Sequence, residues 1–212
     1  MACIFNIKTM NIKTMKSLLL VALTMGSLTA NAQHEEGETT IQPRIGITVS
    51  TLTNIDNSKS KVNVAYGIEF EHYITDQFSV AGGVLFTDLG VKIDNGDDYK
   101  MNIYNTTFPI TANYYILPGL ALKAGLQPAF RIKAQMKQGS TKIDFDRFVE
   151  YFFNDNDFKM NKLDLSIPLG LSYEYQRFVL DARYNLGVTK LFSGLDENVF
   201  YRWLAVSLGY KF

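Results

Sequence analysis

The chain has 212 residues, of which 47% are hydrophobic, and its 21 basic and 21 acidic side chains balance to a formal net charge of zero. This length is typical of one domain. The balanced charge gives no reason to expect a nucleic acid as partner, and the single cysteine excludes a disulfide within the chain.

The N-terminal region predicts a secretory signal peptide. An apolar run at 18–28 follows Lys16 and precedes the small-residue sequence Ala30-Asn31-Ala32, which is the order of a charged region, an apolar region and a cleavage site. The run is too short to be a membrane-anchoring helix, and the later chain has no stretch of about 18 apolar residues. We expect a signal peptide at 1–32, whose loss with its three lysines leaves a formal charge of 18 − 21 = −3.

Two further segments flank this apolar run. Residues 6–10 and 11–15 are identical, and Met15 begins a conventional signal peptide by itself, so a natural start at Met15 is the alternative to Met1. The segment 33–40 is polar and acidic, which predicts a flexible periplasmic tail. The remaining residues, 41–212, form the predicted folded domain.

The last stretch of the chain alternates strictly between bulky apolar and small or polar residues. The bulky positions are Leu204, Val206, Leu208, Tyr210 and Phe212. A period of two indicates a strand with two different faces. The bulky face suits lipid, and the small face suits the crowded inside of a narrow barrel. The final Leu208, Tyr210 and Phe212 resemble the C-terminal assembly signal of bacterial outer-membrane barrels.

The same alternation recurs along the mature chain. Eight two-sided strands are predicted, at about 42–52, 61–73, 77–91, 101–117, 120–135, 162–175, 178–190 and 200–212. Short connections alternate with longer ones, as in outer-membrane barrels with periplasmic turns and extracellular loops. The sequence therefore predicts an all-β, eight-stranded, antiparallel up-and-down transmembrane β-barrel. Pro109 and Pro168 lie within predicted strands, where we expect local bulges because proline lacks a ladder donor.

Several segments resemble the PorT-like outer-membrane β-barrel family. They are the stretch from Phe108 to Tyr115 followed by Pro118-Gly119, and the stretches 169–175, 181–188 and 208–212. The resemblance covers the last five predicted strands, while residues 86–90 depart from the family's usual run. It implies an eight-stranded barrel in the outer membrane of a Gram-negative cell, and it implies a link to protein export to the cell surface.

Alternation places most charged strand residues on the inside. The predicted inward set is Arg44, Glu69, Glu71, Lys123, Arg131, Lys133, Asp164, Glu174, Asp181, Arg183 and Lys211. Side chains just fill the inside of an eight-stranded barrel, and unpaired buried charges are costly. We expect a paired charge network that plugs the lumen. A proton or ion path and a small ligand site are the alternatives.

The sequence offers little for catalysis or metal binding. Only His34 and His72 could serve as a histidine base; the first lies in the predicted tail and the second faces outward. No Cys or His cluster suggests a metal. We expect neither an enzyme nor a cofactor.

The third long loop carries an apolar helical pattern. Its large side chains at i, i+3, i+4, i+7 and i+8 are Phe145, Phe148, Val149, Phe152 and Phe153. They would pack against the barrel mouth, lie in the outer-leaflet interface or bind a protein partner.

The leading functional hypothesis is a structural or surface-interaction protein that acts through its extracellular loops. The alternatives are an accessory component of protein export and a transporter of a small apolar molecule. The expected partners are outer-membrane lipid, the barrel assembly machinery and, for the export hypothesis, envelope or export proteins.

Overall fold

The computed structural model describes residues 34–53, 58–94, 98–138, 141–145, 147, 159–193 and 199–212. The predicted signal peptide lies outside these residues. The strands are β1 (Thr39–Leu52), β2 (Ser58–Thr75), β3 (Phe78–Asp94), β4 (Asp98–Thr107), β5 (Ile110–Leu117), β6 (Leu120–Gln138), β7 (Thr141–Asp144), β8 (Lys159–Met160), β9 (Leu163–Tyr175), β10 (Phe178–Gly187), β11 (Phe192–Ser193) and β12 (Tyr201–Tyr210). Among the described residues, no helix has the length and apolar character needed to span a membrane.

The strands close into a ring. Strand β1 pairs antiparallel with both β2 and β12, and the Phe212 N–H donates to the Ile41 carbonyl at 3.0 Å. Strands β4 and β5 lie end to end between β3 and β6 and together occupy one position in the ring. We call each such position a stave. Within the described chain, the ring therefore has eight staves: β1, β2, β3, β4 with β5, β6, β9, β10 and β12. The predicted fold class is confirmed.

The outer wall is apolar on every stave. Side chains alternate between exposed and buried along strands such as β5, as a two-faced strand requires. The exposed side chains include Ile45 on β1 at 62%, Leu180 on β10 at 55% and Leu208 on β12 at 51%. Within the described ring, each of the eight staves is paired on both sides, as a sheet in hydrocarbon requires.

The two ends of the ring differ. Tight turns at 76–77, 118–119 and 176–177 lie at one end, which we name the turn end. Gly119 and Gln176 have positive φ values of 78° and 57°, which these turns need. The longer connections lie at the opposite end, the loop end, where β7 extends the β6 hairpin and β8 pairs with β11.

The two prolines behave differently. The strand breaks at 108–109, and the Pro109 carbonyl accepts a hydrogen bond from Gly83 at 3.1 Å. The bulge predicted at Pro168 is wrong, because β9 keeps one register with β10 from Tyr175 to Ser166. The ladder between β9 and β6 instead skips residues 167 and 168 without a shift in register. A proline N atom has no hydrogen to donate on that side.

The prediction that Lys133 points inward is also wrong. In the ladder between β4 and β6, Lys133 pairs with Tyr104 and Arg131 pairs with Asn105, so Ile132 is an extra residue. A bulge of this kind reverses the faces beyond it. Ile132 and Lys133 are both exposed, and Ala134 takes the inward position with 1% exposure.

Candidate functional site: the barrel interior

The interior contains three layers of side chains. The turn-end plug consists of His34, Glu71, Tyr73, Tyr115, Glu174 and Lys211. The central charge network consists of Arg44, Glu69, Lys123, Asp181 and Arg183. The loop-end cap consists of Leu89, Val91, Met101, Ile103, Ala134, Phe145, Leu191, Val199, Tyr201 and Trp203.

The central charge network is built around two carboxylates. Arg183 donates from Nη1 and Nη2 to the two Glu69 oxygens at 2.6 and 2.8 Å. Its Nε lies 2.9 Å from Asp181. Arg44 also bonds Glu69, and it lies 2.8 Å from Asp181. Lys123 lies 3.1 Å from the second Asp181 oxygen. Every carboxylate oxygen in this layer therefore faces a cation.

Inward glycines make room for these long side chains. Arg44 stands opposite Gly67 on one side and Gly209 on the other, and Gly170 stands opposite both Lys123 and Arg183. A Cβ atom added to Gly170 would lie 2.9 Å from Arg183 Cγ. Alternating small and large inward residues lets eight staves enclose charged side chains without a pore.

Lys211 is the hub of the turn-end plug. Its Nζ lies 2.6 Å from Glu174, 3.0 Å from Glu71 and 2.5 Å from the Tyr73 hydroxyl. The other Glu71 oxygen accepts hydrogen bonds from Ser79 at 2.5 Å, from Asn113 at 2.8 Å and from Tyr115 at 2.8 Å. Protein groups thus supply partners for the ammonium group and for both carboxylates, as buried charges require.

His34 completes the plug from the N-terminal segment. Its ring stacks on Tyr73 with centroids 4.1 Å apart, and its two nitrogens lie 3.0 Å from Glu174 and 2.9 Å from Glu38. Burial lowers the pKa of His34, but the hydrogen bond and charge of Glu174 outweigh it, so that its pKa is raised. Nearby Lys211 opposes and Glu38 supports this rise.

Residues 34–40 of the predicted flexible tail are therefore held in place. The Gly37 N–H donates to the Tyr73 carbonyl at 2.8 Å, and the Tyr73 N–H donates to the Glu38 carbonyl at 2.9 Å. Thr39 and Thr40 already belong to β1. The acidic composition of this segment suggested disorder, but its backbone finds partners on β2.

The loop-end cap is apolar. Leu89, Ile103 and Trp203 are 1–2% exposed and pack in one cluster with Phe145 from the third long loop. Between this cap and the central network, a cavity of about 30 Å³ borders Arg44, Asn185 and Trp203. That volume suits one or two water molecules. This cavity is too small for a larger solute.

The structure brings together eight of the predicted inward charges. The four cations are Arg44, Lys123, Arg183 and Lys211, and the four anions are Glu69, Glu71, Glu174 and Asp181. Arg131 and Asp164 are half-buried nearer the loop end, where Asp164 accepts hydrogen bonds from Thr189 and from the Leu165 N–H.

The remaining predicted residues have different positions. Phe145 is buried in the cap at 4% exposure, while Phe148, Val149, Phe152 and Phe153 lie outside the described residues. Leu208 and Phe212 face outward with exposures of 51% and 70%. The Tyr210 ring contacts the Phe178 and Phe212 rings on the outer wall.

Sequence reasoning missed the tyrosines and the histidine of the plug. Tyr73 follows Glu69 and Glu71 on the same strand face, so the period of two would have placed it inside. Tyr115 shares a face with Asn113 in the same way. No sequence pattern indicated that His34 folds back onto this face.

Comparisons with known proteins agree with this architecture. A family model described as "Outer membrane protein beta-barrel domain" matches residues 31–193. No curated protein sequence matches the chain.

Two solved structures share the fold. The attachment invasion locus protein Ail of Yersinia pestis, in complex with the heparin analogue sucrose octasulfate, is 18% identical, with a TM-score of 0.51 over 84% of this chain and 99% of that chain. Neisserial surface protein A (NspA) is 14% identical, with a TM-score of 0.51 over 82% of this chain and 97% of that chain. The chain belongs to the outer-membrane protein β-barrel domain family and lies in the outer membrane of a Gram-negative cell.

Proposed function

We propose that the protein is a closed, non-conducting barrel with a structural or surface-interaction role, exerted through its extracellular loops. The observation that carries this proposal is the interior of eight paired charges, four of each sign, each with a side-chain exposure of 4% or less. Their formal sum is zero. We place the turn end in the periplasm and the loop end outside the cell, as in other barrels with short periplasmic turns.

An ion crossing this interior would have to separate several buried pairs. Breaking one buried pair by removing a partner typically costs about 3–5 kcal/mol. The apolar loop-end cap adds a second barrier, because an ion would lose its hydration there. Both features favour a plug over an ion path.

Conductance in planar lipid bilayers tests the closed state. The wild-type protein is expected to give no large, stable open channels. A variant with Glu69→Ala and Arg183→Ala removes one bidentate pair and serves as a comparison for an enlarged interior. Large, stable channels from the wild-type protein would refute the plug.

The surface-interaction role depends on the third long loop. Phe145 packs in the loop-end cap, which favours packing against the barrel mouth for the start of this loop. Introducing Phe148→Glu and Phe152→Glu tests the rest of the predicted apolar face. A loss of barrel stability supports packing; unchanged stability with lost binding to cells or vesicles supports a contact surface.

A PorT-like role in protein export is the second candidate. The sequence segments that resemble this family include Phe108-Pro109, where the strand breaks, and Pro118-Gly119, which forms a tight turn. Co-purification of partner proteins with this protein after mild crosslinking tests the role, and cells that lack its gene serve as the negative control. Stable export partners, together with reduced surface-protein export in a deletion strain, favour it.

Transport of a small apolar molecule is the third candidate. The loop-end cap could bind such a molecule if the loop moved. An apolar ligand bound to the purified barrel would favour this role. We propose no catalytic role for the two histidines, because His34 is held by Glu174 and Tyr73, and His72 lies outside, 2.9 Å from Thr39.

A further inference from the structure

The ladder between β2 and β3 is interrupted near the loop end. It pairs Ala65 with Thr87, breaks, and resumes at Ser60, so residues 61–64 of β2 stand opposite 88–90 of β3 without regular pairs. Four residues opposite three make a β-bulge on β2. The backbone groups of this stretch therefore need partners outside the ladder.

Two hydroxyl groups of β1 take over part of this role. Thr48 Oγ1 donates to the Asp88 carbonyl at 2.8 Å. Ser50 Oγ donates to the Gly90 carbonyl at 2.7 Å and accepts a hydrogen bond from the Gly90 N–H at 2.9 Å. Thr48 and Ser50 face the interior and are 0% exposed, so β3 reaches inward past β2 to meet them.

Strand β2 covers the outer face of β3 at this point. Leu89 and Val91 of β3 pack inward in the loop-end cap, so alternation turns Gly90 outward. A Cβ atom added to Gly90 would nevertheless lie 3.0 Å from Lys61 Cδ and 3.1 Å from Asn63 Nδ2. The wall is thus two layers thick here, and we name the space between the layers the seam.

The seam is lined by polar side chains. Its residues are Lys61, Asn63, Asp88, Gly90 and Asn102. Asn102 pairs with Gly90 in the ladder between β3 and β4, and its Oδ1 accepts a hydrogen bond from Lys61 Nζ. Asp88 stands two residues before Gly90 and shares its face. The two layers therefore present hydrogen-bonding groups to each other.

Two side-chain atoms in the seam have no hydrogen-bond partner among the described residues. They are Asn63 Nδ2, which only donates, and Asp88 Oδ1, which accepts. Asn63 is 7% exposed, so bulk solvent does not supply the missing bond. A buried polar group without a partner is costly. The seam therefore needs a molecule that accepts one hydrogen bond and donates another.

We propose that an ordered water molecule occupies the seam and bridges Asn63 to Asp88. Water is the smallest molecule that accepts from an amide and donates to a carboxylate. A cation fits less well, because Lys61 already brings its positive charge to bear on Asp88. This water lies within the wall and outside the central charge network, so it goes beyond the closed barrel proposed above and leaves that barrel closed.

The first test compares two substitutions of Asn63 by urea titration in lipid vesicles. Asn63→Leu keeps a similar volume but removes the donor, so it displaces the water and leaves Asp88 Oδ1 without a partner. The folding equilibrium constant should fall by about fivefold, which is the typical contribution of one hydrogen bond. Asn63→Ser keeps a hydroxyl and leaves room for water, so its loss should be smaller.

A seam without water predicts the opposite order. Removing an unpaired donor would then be neutral or stabilising, and the smaller serine would leave a gap. An Asn63→Leu barrel that is as stable as the wild type, or more stable than Asn63→Ser, would therefore overturn the proposal.

The second test detects the water itself, by solid-state NMR of the protein in lipid bilayers. Magnetisation transferred from water should reach Gly90 faster than Gly125, which lies in the regular ladder between β5 and β6. In Asn63→Leu the transfer to Gly90 should slow to the rate of Gly125. Equal rates in the wild type, or an unchanged Gly90 rate in the variant, would overturn the proposal. The wild-type comparison decides the matter even where the variant does not fold.

Discussion

At the turn end of the interior, Lys211 lies 2.6 Å from Glu174 and 3.0 Å from Glu71, whereas at the loop end Leu89, Ile103 and Trp203 pack in an apolar cluster. Closure of the turn end depends on the charge of each partner and on the geometry of each hydrogen bond. Closure of the loop end depends on how completely apolar side chains fill the available volume. Substitutions that change charge should therefore affect the turn end and the central network, and substitutions that change volume should affect the loop end.

The largest expected effect comes from Arg183→Ala in the central network. It leaves the buried carboxylates of Glu69 and Asp181 with too few cations, which should lower the free energy of unfolding by about 3–5 kcal/mol. Urea titration in lipid vesicles measures this, with fluorescence from Trp203, the single tryptophan of the chain. Arg177→Ala, at an exposed turn, should change the free energy by less than about 0.5 kcal/mol. Equal effects of the two substitutions would contradict the network.

Leu89→Ala tests the loop-end cap. Leu89 is 1% exposed, and a cavity in such a site typically costs about 2–5 kcal/mol. We expect the lower half of this range, and the loss should be the same at pH 6 and pH 8 because the cluster contains no acid, lysine or arginine. The matched control is Leu204→Ala on the outer wall. A strongly pH-dependent loss would show that the cap is coupled to the charges below it.

Tyr115→Phe sharpens the comparison at the turn end. The substitution removes only the hydroxyl that donates to Glu71 at 2.8 Å. A hydrogen bond to a charged group contributes about 1.5–3 kcal/mol, and Ser79 and Asn113 still bond this carboxylate, so we expect a loss of about 1 kcal/mol by the same measurement. The control is Tyr114→Phe, which removes a hydroxyl from the exposed neighbour. Similar losses from both would mean that the hydroxyl has no specific role.

The smallest effect should come from His34→Gln, and it should depend on pH. The folded pKa of His34 is raised above its ordinary 6.5. Its stabilising contribution is therefore fully present below the unfolded pKa and is lost as the pH rises through the folded pKa. Because solvent reaches the ring, the contribution should not exceed about 1 kcal/mol.

The measurement for His34 is the difference in unfolding free energy between the wild type and His34→Gln, at pH 5.5 and at pH 8.5. The difference should be larger at the lower pH. His72→Gln, on the outer side of the same end, is the control. A difference that grows with rising pH would contradict the contact with Glu174.

The sequence predicted the ring of staves well because lipid imposes a strict rule on each outward position. Ile45, Leu180 and Phe212 follow that rule, and their exposures agree with it. The rule fails beyond the hydrocarbon, where Leu89, Ile103 and Trp203 turn inward as they would in a barrel surrounded by water. Apolar side chains on both faces cannot be assigned by alternation alone.

Two other features also escaped prediction for physical reasons. The bulge at Ile132 depends on how β4 and β6 align, which involves residues nearly thirty positions apart, and it reversed the face of Lys133. His34 lies in a polar segment with no period, and only the stacking surface of Tyr73 fixes it. In contrast, the eight paired charges were predictable, because alternation brought both signs to one face.

The position of Lys211, directly after β12, has a consequence for how the barrel matures. Before β12 pairs with β1, Glu71 of β2 and Lys211 lie on opposite sides of the opening, so Glu71 lacks its ammonium partner. Closure of the barrel and neutralisation of its interior charge then occur in the same step. An open intermediate would remain hydrated and flexible, and the pairing of β12 with β1 would make it rigid.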